Sequence, residues 1–311
     1  MDLQDEAEKL FLQQLKDWQQ LKSNYEALKE VRLKEFRFDN FVIKVQYNPA
    51  RKQSSLARTD SKSINERKCF LCPSHLPPEQ KGVPFGNDYQ ILVNPYPIFS
   101  RHFTIPTYIH TDQLIEGRYK NMLRLAEMFS GYIVFYNGPK CGASAPDHMH
   151  FQAAIKGNMP LDKEITNLPK EVILKKDRST IYAVDNYLRN AFLIEAESEE
   201  VSEALFQQVY NALDLKDGDK EPMINILSWK EDNSLYTCIF PREKHRPECY
   251  YSNGDDNLLI SPASVDLGGL FVVSQEKDFE KITKEDIVSV LKEVCINDEK
   301  MRAITERIKN I

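Results

Sequence analysis

The sequence predicts an α+β fold in which antiparallel sheet and packed helices form two related half-units, and two observations carry this expectation. Short apolar strands in the first half run strand, strand, helix, strand, strand, and the second half repeats a similar alternation. At 311 residues, 41% of them hydrophobic and 28% charged, the chain is long enough to bury one large core or two ordinary ones.

Taken in order, residues 1–35 read as a charged amphipathic helix whose Phe11, Leu15, Trp18, Tyr25 and Leu28 share one face. The run 38–47 alternates as a strand that Asn48-Pro49 ends, and the polar, basic, serine-rich stretch 50–66 reads as a long loop, mobile or functional. Strands follow at 90–94 and 102–106. A helix comes next, with Thr111-Asp112 as its capping oxygens and Ile115, Tyr119, Met122, Ala126 and Phe129 as its buried face. Then come the strand 133–136, a glycine-containing turn, and a strand that begins at His148 and runs through Ile155. The second half supplies strands at 191–194, 224–227, 236–240 and 270–273, and a helix over about 199–215. A closing helix opens on Thr283 and Asp286 at capping-box spacing and buries Ile287, Val290, Leu291 and Val294. This divides the chain into a lead segment 1–64, a chemical half 65–176 and a second half 177–311.

Composition narrows the function. No apolar run approaches the roughly 18 residues of a membrane span, and the acidic start Met1-Asp2-Leu3-Gln4-Asp5-Glu6 lacks the basic and apolar stretches of a secretory signal, so a cytoplasmic location is expected. The six cysteines are then expected to be thiols or metal ligands. A net charge of −6 argues against a nucleic-acid surface but leaves room for a small anion held by local basic groups. Arg101, Lys140, Arg242, Lys244 and Arg246 are the candidates, each with solvated surface charge as its plainer reading.

The chemistry concentrates in His148-Met149-His150-Phe151-Gln152. Side chains alternate along a strand, so His148, His150 and Gln152 share one face while Met149 and Phe151 point to the other. Ordinary polar residues on a half-buried strand, or two histidines on one metal ion, would also give this pattern. The preceding turn, 137–144, adds two glycines, Lys140 and the Ser144 hydroxyl, a composition that presents N–H and hydroxyl donors to phosphate. A neutral imidazole needs no deprotonation to attack phosphorus, and the Gln152 amide and Ser144 hydroxyl would then donate to the charge gathering on the phosphoryl oxygens.

The string Phe135-Tyr136-Asn137-Gly138, Gly142-Ala143-Ser144, His148-x-His150-x-Gln152 resembles the galactose-1-phosphate uridylyltransferase branch of the histidine-triad superfamily. The resemblance implies that superfamily's α+β fold, a covalent nucleotide on His150, and Gln152 on its phosphate, with Asn137, Gly142 and Ser144 as supporting contacts. Met149 stands where the uridylyltransferases have proline, and Asp147 adds one residue to their spacing. Asp147 through Ala153 is most similar to the Asn-His-Leu-His-Phe-Gln-Ala string of the GDP-hexose phosphorylases. The segments 45–51, which brings in Arg51 as a substrate contact, and 260–279 are similar to theirs as well. A nucleotide sugar with phosphate or a sugar phosphate is therefore the expected substrate pair. A dinucleoside-polyphosphate phosphorylase, a UDP-hexose uridylyltransferase and an inactive nucleotide-binding scaffold are the alternatives, and a homodimer is implied by the same resemblance.

Cys69-Phe70-Leu71-Cys72 has the spacing of a zinc half-site, with a pair of buried thiols as the plainer reading. Some members of the uridylyltransferase branch hold a structural zinc with such a pair and two histidines, which implies zinc on Cys69, Cys72, His110 and His148. His75 and His102 are the competing ligands. Asp147 either orients an imidazole or caps the strand, and the basic cluster Arg242 to Arg246 either meets the acceptor phosphate or sugar or forms a solvated loop.

Overall fold

The structure, a computed structural model, describes residues 2–51, 64 and 66–310. Most of the expected loop 50–66 lies outside the described residues. The chain opens on helix α1 (Leu3–Asp17) and helix α2 (Gln19–Glu26), separated by the extended backbone of Trp18. The single helix expected over 1–35 is therefore broken at Trp18 and over by residue 30. Residues 32–37 instead form strand β1 (Arg32–Arg37), paired antiparallel with β2 (Val42–Tyr47). Tertiary pairing overrides helical periodicity here, because the charged residues of β1 suit an edge strand as well as a helix face.

Ten strands form one antiparallel sheet. The first five are β3 (Gly82–Phe85), β4 (Tyr89–Val93), β5 (His102–Pro106), β6 (Tyr132–Asn137) and β7 (His150–Ile155). The second five are β8 (Lys170–Lys176), β9 (Ser179–Val184), β10 (Ala191–Ala196), β11 (Ile224–Glu231) and β12 (Ser234–Pro241). Their spatial order is β3-β4-β5-β7-β6-β11-β12-β10-β9-β8. Read inward from each edge, both halves place their fifth strand between their third and fourth. A helix links third to fourth in each: α3 (Tyr119–Met128) and α4 (Glu199–Ala212). The two halves thus share one topology and meet where β6 pairs with β11, from Val134↔Ser228 to Asn137↔Asn225. The expected α+β architecture of two related half-units is what the chain adopts.

One face of the sheet is covered by α1, α3 and α4, with Tyr119 stacked on Phe206 at 3.8 Å between the two linking helices. Met149 and Phe151 are fully buried on this side, although the strand expected to begin at His148 begins only at His150, because the Met149 N–H and carbonyl bond to Thr111 and Thr107. The other face is covered by a small sheet in which β13 (Leu270–Val273) runs parallel to β2, and by the capped helix α5 (Lys284–Val294), while helix α6 (Asp298–Lys309) buries Met301, Ile304 and Ile308 on the first side. Thr283 and Asp286 form the expected capping box.

The helix expected from Thr111-Asp112 begins only at Tyr119. Its expected capping residues are used elsewhere: the Thr111 carbonyl accepts from the Met149 N–H at 2.7 Å, and Asp112 pairs with Lys220. The segment 107–113 stays outside the helix and supplies hydrogen bonds to Met149 and His150 at the start of β7.

Candidate functional site

The turn after β6 is shaped by contacts from the second half. Gly142 has a φ of +93°, and a Cβ built there would lie 2.6 Å from the Ala263 Cβ, so only glycine allows the 262–264 segment to approach so closely. The Asn137 Oδ1 accepts from the Ser264 N–H at 2.8 Å and the Asn225 amide at 2.9 Å. Asn137 is thus first a lock between the halves, and only its Nδ2 remains for a ligand. Arg242 completes the lock. Buried, it donates to Asn225 Oδ1 and to the carbonyls of Pro262, Val294, Lys244 and His245. It is neither the solvated charge nor the ligand contact that its sequence cluster suggested.

His150 is 3% exposed, and its Nδ1 lies 2.8 Å from the His148 carbonyl. A carbonyl only accepts, so Nδ1 carries the proton and the lone pair sits on Nε2. Among the described residues Nε2 has no hydrogen-bond partner. Burial pushes the imidazole down to about 4, which keeps it neutral. The ring lines a cavity of about 660 Å³ with apolar walls of Trp18, Phe70, Leu71 and Leu92. That volume lies within the roughly 300–1,000 Å³ of small-molecule pockets.

Gln152 is oriented by the same logic. His102 Nδ1 accepts from the Ile98 N–H at 3.3 Å, so its Nε2 bears the proton and donates to Gln152 Oε1 at 2.9 Å. The Gln152 amide is turned so that its –NH2 is the group left for the cavities. His102, pushed down to about 3 by burial and by the Arg51 charge, is a neighbour of Gln152 and stands outside the cysteine cluster. Gln152, Ser144 and Arg51 all line a second, smaller cavity of about 170 Å³ as well, and so form the wall the two spaces share. Burial lowers Arg51 to about 10, which leaves it charged at neutral pH. The smaller cavity is also lined by Arg246, which donates to Ser261 Oγ at 3.0 Å and lies over Tyr250, and by His245 and Asp266. Burial pushes Asp266 up to about 6.

Lys140 is not part of this wall. It pairs with Asp219 at a third cavity, on the side of Glu221, whose carboxyl burial pushes up to about 7.

Cys69, Cys72, His110 and His148 come together as a cluster whose ligand atoms all lie within 4.8 Å of one another. Cys69 Sγ and Cys72 Sγ lie 3.2 and 3.6 Å from His148 Nδ1, and Cys72 Sγ lies 3.2 Å from His110 Nδ1. His148 Nε2 donates to the Thr107 carbonyl at 2.8 Å, which turns the Nδ1 lone pair inward. Asp147 lies 3.5 Å from His110 Nε2 and is itself held by Arg67 at 3.2 Å. Asp147 therefore stands beside an imidazole, the placement that the first of the two readings of its sequence calls for. Two sulfurs and two correctly turned imidazoles can hold a metal ion. His75, whose Nδ1 donates to the Cys69 carbonyl at 2.9 Å, stands outside the cluster.

Residues 10–155 match a family model described as a domain of unknown function, DUF4922, and residues 163–311 match one described as GDPGP1-like, C-terminal domain. The crystal structure of yeast Ap4A phosphorylase Apa2 aligns with a TM-score of 0.58 at 17% identity, covering 89% of this chain and 96% of that one. The chain shares the fold of Apa2. In complex with Ap4A the same yeast enzyme gives a TM-score of 0.57 at 18% identity, covering 89% and 96% of the two chains. The α+β fold that the resemblance implied is the one the chain adopts. No curated protein sequence matches the chain. Among the described residues no helix is long and apolar enough to cross a membrane.

Sequence reasoning did not single out Asn225, Ser264 or Arg67. Each acts through a partner distant in sequence, and only Ser264 sits in a string, within 260–279, that carries the resemblance. Replacing Gly142 with alanine should cost about 1–3 kcal/mol in urea denaturation, because the left-handed backbone and the Ala263 contact both exclude a Cβ. Full stability in that variant would show that the turn relaxes freely.

Proposed function

We propose that the protein is a nucleotide phosphorylase or nucleotidyltransferase of a GDP-hexose, acting in the cytoplasm through a covalent nucleotide on His150. The observation that supports this most is the imidazole itself, protonated on Nδ1 and open on Nε2 at the wall of a nucleotide-sized cavity. Nε2 attacks the α-phosphorus, forming a P–N bond as the P–O bond to the departing hexose phosphate breaks. A phosphate oxygen then attacks the same phosphorus, the P–N bond breaks, and a nucleoside diphosphate leaves. The Gln152 –NH2 and the Arg51 charge stand where the phosphoryl oxygens gain charge. The apolar cavity takes the nucleoside, and the smaller polar one takes the sugar phosphate or the incoming phosphate.

The GDPGP1-like match over 163–311 and the string 147–153 favour a GDP-hexose. The fold shared with Ap4A phosphorylase favours a second reading, a dinucleoside polyphosphate cleaved by phosphate at the same histidine. Phosphate-dependent turnover of GDP-glucose, GDP-galactose, UDP-galactose, ADP-glucose and diadenosine tetraphosphate separates the two. The expected result is activity on a GDP-hexose at least tenfold above the others. Incubation with labelled GDP-hexose without phosphate should leave acid-labile label on the protein, and His150→Ala should leave none. Label that persists in that variant contradicts the assignment.

We also assign a structural zinc to Cys69, Cys72, His110 and His148, a closed four-donor set that suits zinc and leaves no open position. When bound, the ion would fix the His148 ring and with it the start of β7. Metal analysis should find one zinc per chain, lost in Cys69→Ser together with thermal stability. Metal-free protein of unchanged stability would refute the assignment.

A further inference from the structure

β6 and β7 are paired from Tyr132↔Ile155 to Phe135↔Gln152, and then they part. The next hydrogen-bonded rung in that register would join Asn137 to His150. Its place is taken by the side chain of Gln113, which comes from the segment between β5 and α3. Gln113 Nε2 donates to the Asn137 and His150 carbonyls at 3.0 Å each, and Oε1 accepts from the His150 N–H at 2.7 Å. The side chain is fully buried, and both ends of its amide are used. One carboxamide thus replaces a missing ladder rung at the residue that carries the open imidazole nitrogen.

The gap has a cause. Asn137 stays with β11 through Asn225 and turns towards Gly142, whereas Met149 is drawn the other way by the Thr107 N–H at 3.0 Å and the Thr111 carbonyl at 2.7 Å. Without a bridging group the His150 peptide would be hydrogen-bonded on its β5 side only. Filling space alone calls for an apolar side chain, and an amide in this position is warranted only by its three hydrogen bonds.

We propose that Gln113 is a positioning residue for the nucleophile: its carboxamide fixes the His150 peptide plane and thereby the direction of Nε2. This rests on the reading of His150 as the nucleophile. Gln113 is itself fixed from the second half of the chain. The Tyr136 hydroxyl lies 3.1 Å from the Gln113 carbonyl and is also bonded to Glu221 Oε1, while Glu221 Oε2 accepts from the Ile115 N–H at 2.9 Å. The loop before β11 therefore sets the segment 113–115, and that segment sets the nucleophile.

The test uses the full chain and measures single-turnover transfer of nucleotide from GDP-hexose to His150, alongside zinc content and the affinity for GMP. Gln113→Met keeps the volume and removes every hydrogen bond, and Gln113→Glu keeps the shape but points a carboxylate at two carbonyl oxygens. Both should slow transfer about 100-fold while GMP affinity and zinc content stay within about threefold, the signature of a misdirected nucleophile in an intact site. Tyr136→Phe, which removes one hydroxyl and threatens folding least, should slow transfer in the same way by a smaller factor. Transfer at the wild-type rate in Gln113→Met, or an equal loss of transfer, GMP binding and zinc in all three variants, overturns the positioning role and leaves His150 as the nucleophile. A wild-type protein that never takes label overturns the nucleophile and the positioning role together.

Discussion

The site depends on one hydrogen bond, from His150 Nδ1, at the start of β7, to the His148 carbonyl two residues back along the chain. It costs nothing in chain length, and it decides which nitrogen of the imidazole is basic. For the bond to hold, the His148 carbonyl must itself be fixed. The His148 ring is held by the cysteine cluster and the Thr107 carbonyl, and the Met149 peptide is held on both sides by residues 107 and 111. The residues just before β7 give His148 to the cluster, and β7 itself, whose side chains alternate, gives His150 and Gln152 to the cavities. His148 of the cluster and the cavity residues His150 and Gln152 are thus spaced at intervals of two residues along one short stretch of chain, with Met149 and Phe151 buried between them.

The second half of the chain shares the first half's topology but has no histidine in β12, the counterpart of β7. Its contribution is a wall. Asn225, Arg242 and Ser264 lock the turn 137–144, and Arg246, Ser261 and Asp266 line the smaller cavity. A buried guanidinium that meets only carbonyl and amide oxygens is expensive unless all its donors are used, and Arg242 uses them on four separate stretches of chain. That arrangement ties the turn 137–144 of the first half to the second half.

Much of this was legible in the sequence, for definite reasons. The face-sharing of His150 and Gln152 follows from the strand period, and the capping box at Thr283 and Asp286 from local chemistry, whereas His148 stands just before the strand it was expected to begin. The cysteine–histidine set came from resemblance, and the geometry brings all four ligands together. What failed depended on partners far away in sequence. The charged residues 32–37 read as helix until β2 is there to pair with them. Lys140 sits in a phosphate-like turn but swings to Asp219, and Thr111 looks like a cap but gives its backbone to Met149. The glutamine that bridges Asn137 and His150 has no local signature, because its meaning lies in a ladder rung that is missing.

The most direct measurement is a crystal structure of the protein frozen after reaction with GDP-hexose in the absence of phosphate. A nucleoside monophosphate bonded through phosphorus to His150 Nε2, with the Gln152 –NH2 on a phosphoryl oxygen and the His150 Nδ1 still on the His148 carbonyl, is the predicted result. A nucleotide bonded to any other atom, or bound intact beside an unmodified His150 under turnover conditions, would contradict it.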